Sequence, residues 1–355
     1  MTSLESVKAL LESEIKEVVG CTEPASVAFA FARVVKLFKD NSLRGELPCD
    51  FKAEITVSRD VSRNISTVKV PVIKLKGIEA ASACGIFTKA GDFNPFAGIG
   101  PAEKKKIKVL LKRKNWLKVS VKNRDGIFVD AKISSAKKTV RVTVEGSHDN
   151  ITGLYSGGKK LPQGKKLSVR RIKDLNEIAF IVSKRPKDAE AFVEKFIKEQ
   201  GKLYDRYAYE DVFEAVAGLV KKRMEGASIK VITLTGSGNQ GIFIAIPFYK
   251  LYKKRGRKIL PAALFAVLSQ IYLTYGEGRI SDECGLAGKA SAALSGGLSF
   301  LKGCGLKKIK ANMDLTRRAL KGLKCEGAEP VCAMKARLAL TAVDDVVWPK
   351  GGGLL

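Results

Sequence analysis

No two cysteines stand in a C-x-x-C spacing, although the chain holds seven. An odd count without paired spacings argues against a secreted disulfide framework, so the expected setting is reducing and cytoplasmic. The first twenty residues agree: Glu5, Glu12 and Glu14 stand where a signal peptide would be basic and then apolar. No uninterrupted apolar run reaches the roughly 20 residues that a membrane span needs. The longest candidate, ILPAALFAVLSQIYLTYG, carries Pro261, Ser269 and Gln270 and runs up to Glu277, and reads as a buried core helix. No internal repeat or low-complexity segment is present, and 33 Gly, 11 Pro and 7% aromatics are ordinary globular usage. Collagen-like and disordered classes are thereby excluded. The 355 residues suffice for a sizeable core, in one large domain or in two of roughly 150 residues each.

Acidic residues are scarce: 36 Asp+Glu face 64 Lys+Arg, a formal net charge of +28. Such a surplus invites a nucleic-acid reading, because phosphate neutralisation drives most non-specific binding. The densest run, EKKKIKVLLKRKNWLK (103–118), sets Ile107, Val109, Leu110 and Leu111 among lysines, as an amphipathic helix on a solvated face does. The other basic clusters (159–160, 165–166, 170–171, 253–258 and 307–310) are spread along the chain, without a zinc finger, an aromatic-studded RNA signature or a heptad basic region. Scattered charge bears on solubility more than on docking. Neither nucleic acid nor membrane is expected as a partner.

The organisation reads as α+β. Residues 3–18 and 25–39 have helical periodicity and are parted by GCTEP (20–24). FKAEITVSRD, STVKVPVIKLK, WLKVSVKN, GIFVDAKISS and KTVRVTVEGS are Val/Ile/Thr-rich or alternating, the pattern of strands, with a helix near 103–114. From 187 onward the pattern is helical over 188–200, 207–225, 261–275, 285–302, 306–322 and 330–345. The expected architecture is a helical body made of 1–48 and 187–355, with a β-rich insert at 49–186.

Four segments carry chemistry. GSGNQG (236–241) follows a Val/Ile-rich stretch and satisfies G-x-G-x-x-G, yet the acidic residue expected about 20 positions on is missing and no β-α-β pattern surrounds it. Three readings stay open: a dinucleotide loop, a purely structural turn, or backbone N–H groups with Ser237 and Asn239 facing a small anion at a helix start. Cys284 opens a run of small residues, ECGLAGKASAALSGG. Cys325 belongs on a turn, and Pro330 suits a first helical position, which leaves Cys332 in the first turn of a helix. Three thiolates from separated segments can hold an iron–sulfur cluster with one iron open, and equally can be buried structural cysteines. Cys21 precedes a helix start, where the dipole favours thiolate; packing into the core is the other reading. His148, the single histidine, follows a strand in GSHDNITG, a structural place more often than a catalytic one. Cys49, Cys84 and Cys304 have no companion motif.

Taken in order, GCTEPASVAFA, SHDNIT, GSGNQGIFIAIP, ECGLAGKASAALSGG and CEGAEPVCAMKARLA resemble the L-cysteine desulfidase family, whose helical core is similar to that of the iron–sulfur L-serine dehydratases. The likeness covers nearly the full chain. It implies a [4Fe–4S] cluster on Cys284, Cys325 and Cys332, Cys21 as the base, and a carbon–sulfur lyase that turns L-cysteine into pyruvate, ammonia and hydrogen sulfide. Thr22, Ser237, Asn239, His148 and Asn150 would hold the substrate. The family's usual N-H-G is Asn239-Gln240-Gly241 here, and its CDGAKPGC is CEGAEPVC, with Glu329 replacing a base. An L-serine dehydratase-like deaminase uses the same cluster and base, and a non-catalytic basic nucleic-acid binder is the reading from another class. The expected partners are a small amino-acid substrate and, by base rate, a second copy in a homodimer.

Overall fold

Two short strands from opposite halves of the chain tie the body together. In the computed structural model, which describes residues 4–40, 47–48, 50–136, 138–163, 171–349 and 353, helix α1 (Leu4–Glu14) runs straight into strand β1 (Ile15–Val19). The helix expected over 3–18 therefore ends early. Ile15, Val18 and Val19 are β-branched, and β1 pairs antiparallel with a strand near residue 232, from Ile15 opposite Leu234 to Val19 opposite Lys230.

Helix α2 (Thr22–Asp40) follows. A mixed six-stranded sheet comes next, built from β2 (Lys52–Ser58), β3 (Leu117–Lys122), β4 (Phe128–Ser134), β5 (Thr139–Glu145), β6 (Ile151–Ser156) and β7 (Lys159–Lys160). Its order is β3-β2-β4-β5-β6-β7, with β2 and β3 parallel and every other pair antiparallel. The parallel pair needs a crossover, supplied by α3 (Arg59–Thr67), α4 (Ile78–Phe87) and α5 (Pro101–Lys112). The segment 66–76 is not the strand that its valines suggest. It completes α3 and then loops, closed by a single bridge between Lys69 and Lys76, because Pro71 has no N–H for a ladder. Strand β6, which the pattern did not mark, contains Gly153.

Helix α2 packs on β4, β5 and α4. Ala25, Val27, Ala28, Phe31 and Val34 are all buried there, so this helix goes with the sheet, although its position before residue 48 had placed it in the helical body. The body itself comprises α6 (Leu175–Ser183), α7 (Lys187–Arg206), α8 (Val212–Met224), β8 (Lys230–Leu234), α9 (Gly238–Arg255), α10 (Leu260–Glu277), α11 (Ser291–Leu301), α12 (Leu306–Ala319) and α13 (Val331–Val347). Helix α10 is apolar all round because α6, α7 and α11 cover it. The run Gly238–Glu277 is long and apolar enough to cross a membrane, yet 72% of its most apolar window is buried inside the protein. Gly297 lets α11 lie close to α10: a Cβ there would stand 2.7 Å from the Ala262 carbonyl oxygen.

Candidate active site

The starts of α2, α9 and α13 and the loop before α11 open on one cavity of about 110 Å³. Cys21, Thr22, His148, Ser237, Asn239, Cys284, Cys325 and Cys332 all line it. Its size suits a small molecule and not a dinucleotide. Asn150 is the one nominated residue that lies elsewhere. Its amide donates to the Glu145 carbonyl at 2.7 Å and closes the turn between β5 and β6, facing a separate depression beside Asp149.

Backbone pairing brings two of the three C-terminal thiols together. Glu283 and Lys324 form an antiparallel bridge, flanked by Cys284 N–H to the Leu323 carbonyl and Cys325 N–H to the Asp282 carbonyl, both 2.7 Å. Cys284 and Cys325 are thus diagonal neighbours on one face of a two-stranded turn, a spacing of roughly 7–8 Å or less. The third thiol arrives on the first turn of α13, whose N-cap is Pro330. Cys332 N–H donates to the Glu329 carbonyl at 3.0 Å. The loop between is pinned by the Ala328 N–H on Thr67 Oγ1, 3.1 Å. Among the described residues the six cysteines are free; Cys49 lies outside them, as do Lys165, Lys166 and Arg170 of the basic clusters.

Burial, then the neighbouring Cys284 and, for Cys332, also Cys325, pushes the Cys325 and Cys332 thiols above their ordinary range. Buried thiols that resist ionisation are what a cationic iron core would relieve. No three His, Cys, Asp or Glu among the described residues are grouped to hold a single metal ion. Ligands of one ion crowd within about 4 Å of each other, whereas the thiolates of a cubane stand roughly 7 Å apart at its corners. Three thiols on one cavity are the donor chemistry of an iron–sulfur cluster.

Cys21 faces that set from the start of α2. Its thiol donates to Glu23 Oε2 at 3.0 Å, where Thr22 Oγ1 also donates at 3.2 Å. The helix start was expected to favour thiolate. Instead burial, then the adjacent Glu23 carboxylate, raises the Cys21 thiol well above its ordinary range, with Arg223 acting in the opposite direction. A neighbouring full charge outweighs a helix dipole. Burial opposes the charge on Glu23 too, but His148 and the Cys21 thiol hold its carboxyl down at about 2. Glu23 Oε1 accepts from Asn64 Nδ2 at 3.0 Å and stands 3.5 Å from His148 Nε2. Among the described residues neither ring nitrogen of the buried His148 makes a hydrogen bond, Glu23 being its ion-pair neighbour. Gly236 adopts φ +82°, and a Cβ on it would meet His148 Nδ1 at 2.6 Å. A side chain there would be strained and would displace the ring.

A family model of the serine dehydratase alpha chain matches residues 109–344, more than half of the chain. The chain belongs to the serine dehydratase alpha chain family. Full-length similarity extends to proteins named only as UPF0597 proteins. One from Thermosipho melanesiensis is 28% identical over 98% of this chain and 92% of its own length. One from Caldanaerobacter subterraneus is 27% identical over 98% and 90%, and one from Desulfitobacterium hafniense 29% identical over 94% and 83%. Membership places the protein among lyases of the dehydratase type.

The pocket also contains Arg223 and Arg279, which the sequence did not single out. Arg223, on α8, is fully buried; it donates to the Gly20 carbonyl at 2.7 Å and to Asn239 Oδ1. Burial lowers its guanidinium from the ordinary arginine value, while Cys21, Glu23 and Cys332 pull it back up. Ser237 caps α9 by accepting from the Gln240 N–H at 3.3 Å, so the GSGNQG run is a strand-to-helix turn whose N-terminus faces the cavity. Gln240 is held from behind: its Oε1 accepts from Gln270 Nε2 at 2.6 Å. Arg279 lines the far wall, clamped in two hydrogen bonds of 2.7 and 2.8 Å by the buried Glu14. Nothing in the spacing of Arg223, Arg279 or Glu14 distinguishes them from the many other charged positions.

Proposed function

We propose that this protein is an iron–sulfur lyase that eliminates sulfide from L-cysteine, releasing aminoacrylate that hydrolyses to pyruvate and ammonia. The observation that supports it is the presence of Cys284, Cys325, Cys332 and Cys21 in the lining of one small cavity. The thiolates of Cys284, Cys325 and Cys332 would hold a [4Fe–4S] cluster. When bound, the cluster supplies an open iron as a Lewis acid for a poor leaving group.

The protein's own residues do the rest in this proposal. Cys21 takes the α-proton as the electron pair moves to form the Cα–Cβ double bond and the carbon–sulfur bond breaks. The thiol proton that Cys21 must first lose leaves to solvent, since Glu23 accepts the 3.0 Å hydrogen bond but, held down at about 2, is too weak a base to keep it. Arg223 favours the resulting thiolate, and a substrate ammonium would add to that field. The N–H groups at the start of α9, with Ser237 and Asn239, offer donors for the substrate carboxylate. His148, buried beside Glu23 and with no hydrogen bond among the described residues, has capacity for a further contact. An oxygen-sensitive cluster and free thiols suit a soluble, cytoplasmic enzyme.

A second substrate is favoured by the family itself. L-serine would lose water through the same proton abstraction, with hydroxide as the leaving group. Anaerobically prepared protein assayed with L-cysteine and L-serine side by side decides between them. Sulfide release at the higher kcat/KM supports the desulfidase reading, and faster pyruvate release from L-serine overturns it. Iron-free protein with neither activity, even after cluster reconstitution, would overturn both and leave the basic-binder reading.

A further inference from the structure

We propose that Arg223 sets the substrate class of the pocket: with the first N–H groups of α9 its guanidinium forms a subsite for a free carboxylate, which restricts the enzyme to α-amino acids whose carboxyl group is unblocked. The inference rests on the lyase reading above and names the part of the substrate that this wall of the cavity takes.

The two arginines that line the cavity differ in what they face. Arg279 is neutralised by its two hydrogen bonds to the buried Glu14. Arg223 is 2% exposed, and a buried charge is almost always paired. Among the described residues it makes no ion pair. Its Nη2 donates to the Gly20 carbonyl at 2.7 Å and its Nη1 to the Asn239 amide oxygen, both neutral acceptors, and its Nε has no partner. Glu23 acts on it through space, but the Glu23 oxygens are held by Cys21, Thr22 and Asn64. A guanidinium has five N–H donors in a fork that matches a carboxylate, and two of them are spent on these acceptors.

The guanidinium also stands against a helix start, where a cation is out of place. A Cβ on Gly238, the first residue of α9, would lie 2.5 Å from Arg223 Nη2 and 2.6 Å from its Cζ. That end of the 18-residue helix carries about half a positive charge, so like charges are pressed together in an arrangement that an anion would relieve. The first N–H groups of the helix are not all spent. Gln240 N–H donates to Ser237 Oγ and Gly241 N–H to the Ser237 carbonyl, whereas those of Gly238 and Asn239 make no hydrogen bond among the described residues. In the turn that leads into α9, a Cβ on Gly236 would lie 2.6 Å from Nδ1 of His148, which is 4% exposed and makes no hydrogen bond through either ring nitrogen. A guanidinium, two adjacent backbone N–H groups and an imidazole are donors that suit a carboxylate. One arginine and a half-charged helix end suit a monoanion, and the cavity of about 110 Å³ suits a small one. A zwitterionic amino acid brings an ammonium with its carboxylate, so its binding leaves the net charge of the pocket unchanged.

L-Alanine carries the ammonium and carboxylate of such a substrate but no leaving group on Cβ, and L-alaninamide lacks the carboxylate charge. Calorimetric titration of each into the anaerobically prepared full chain reads binding without turnover. Wild type is expected to bind L-alanine at least roughly 10-fold more tightly than the amide. Arg223→Gln, which keeps a donor for the Gly20 carbonyl, should bind L-alanine roughly 10- to 100-fold more weakly and no longer prefer it to the amide. Arg223→Lys keeps the charge without the fork and should retain part of the preference; should neither variant fold, the wild-type comparison still decides. Equal wild-type affinities for the two ligands, or binding of neither, overturns the inference. So does weaker binding of both ligands by the same factor in Arg223→Gln, the mark of a merely structural role. An Arg223-dependent preference for L-alanine in a protein that releases neither sulfide nor pyruvate would leave the subsite in place and overturn the lyase reading instead.

Discussion

Glu23→Gln removes one charge from the pocket while keeping the side chain's shape. The wild-type carboxylate accepts from Cys21 at 3.0 Å, Thr22 at 3.2 Å and Asn64 at 3.0 Å, and stands 3.5 Å from His148. Burial opposes its ionisation, yet His148 and the Cys21 thiol lower it from 4.5 to about 2. That difference is worth about 3 kcal/mol of folding stability near neutral pH. The sign follows from the direction. A carboxyl depressed in the folded state contributes fully above its unfolded value of 4.5 and loses the contribution as pH falls toward about 2. The glutamine variant has no such group, so its deficit is pH-dependent. Urea unfolding of iron-free wild type and variant should show a gap of about 3 kcal/mol near pH 7, shrinking by a third or more near pH 3.5. A gap of the same size at both pH values, or no gap at pH 7, would refute the reasoning.

Cys21→Ser should keep its iron and lose turnover by about 10²- to 10⁴-fold, because a serine hydroxyl is too weak an acid to supply a base near neutral pH; iron content and sulfide release are measured together, and lost iron or full turnover contradicts the division of roles. Gly236→Ala should cost about 1–3 kcal/mol in unfolding experiments and lower kcat/KM, since its Cβ meets His148 at 2.6 Å at a φ of +82°; wild-type stability would contradict the clash. Cys304→Ser and Cys84→Ala lie outside the cavity lining and should retain full iron, with the buried Cys84 position showing at most a modest stability loss in thermal unfolding.

How much of this was legible in the sequence depended on where each residue sits in its element. Cys21, Ser237, Cys284, Cys325 and Cys332 stand at turns and helix starts, where Gly, Pro and Ser punctuate the chain and leave a readable motif. The cavity brings these five together with Thr22, Asn239 and His148. Arg223 lies inside a helical segment, one among 64 basic residues, and only its burial sets it apart. Glu23 lay in a recognised motif, but its effect on Cys21 needs the 3.0 Å contact. A five-residue strand such as β1 takes its partner from the far half of the chain, so local periodicity merged it into α1. Helix α2 is apolar over most of its length, with Lys36 and Lys39 exposed near its end, which shows that it packs on a core without showing which layer covers it. The valines of 66–76 read as a strand because β propensity reports a half-buried surface rather than ladder pairing, and Pro71 decides against the ladder.

The most direct measurement is iron and acid-labile sulfide per chain after anaerobic reconstitution, taken on wild type and on Cys284→Ser, Cys325→Ser and Cys332→Ser. The account predicts close to four iron and four sulfide per wild-type chain, with each serine variant losing both the cluster and turnover. Wild-type protein that binds no iron, or serine variants that hold a full cluster, would contradict it.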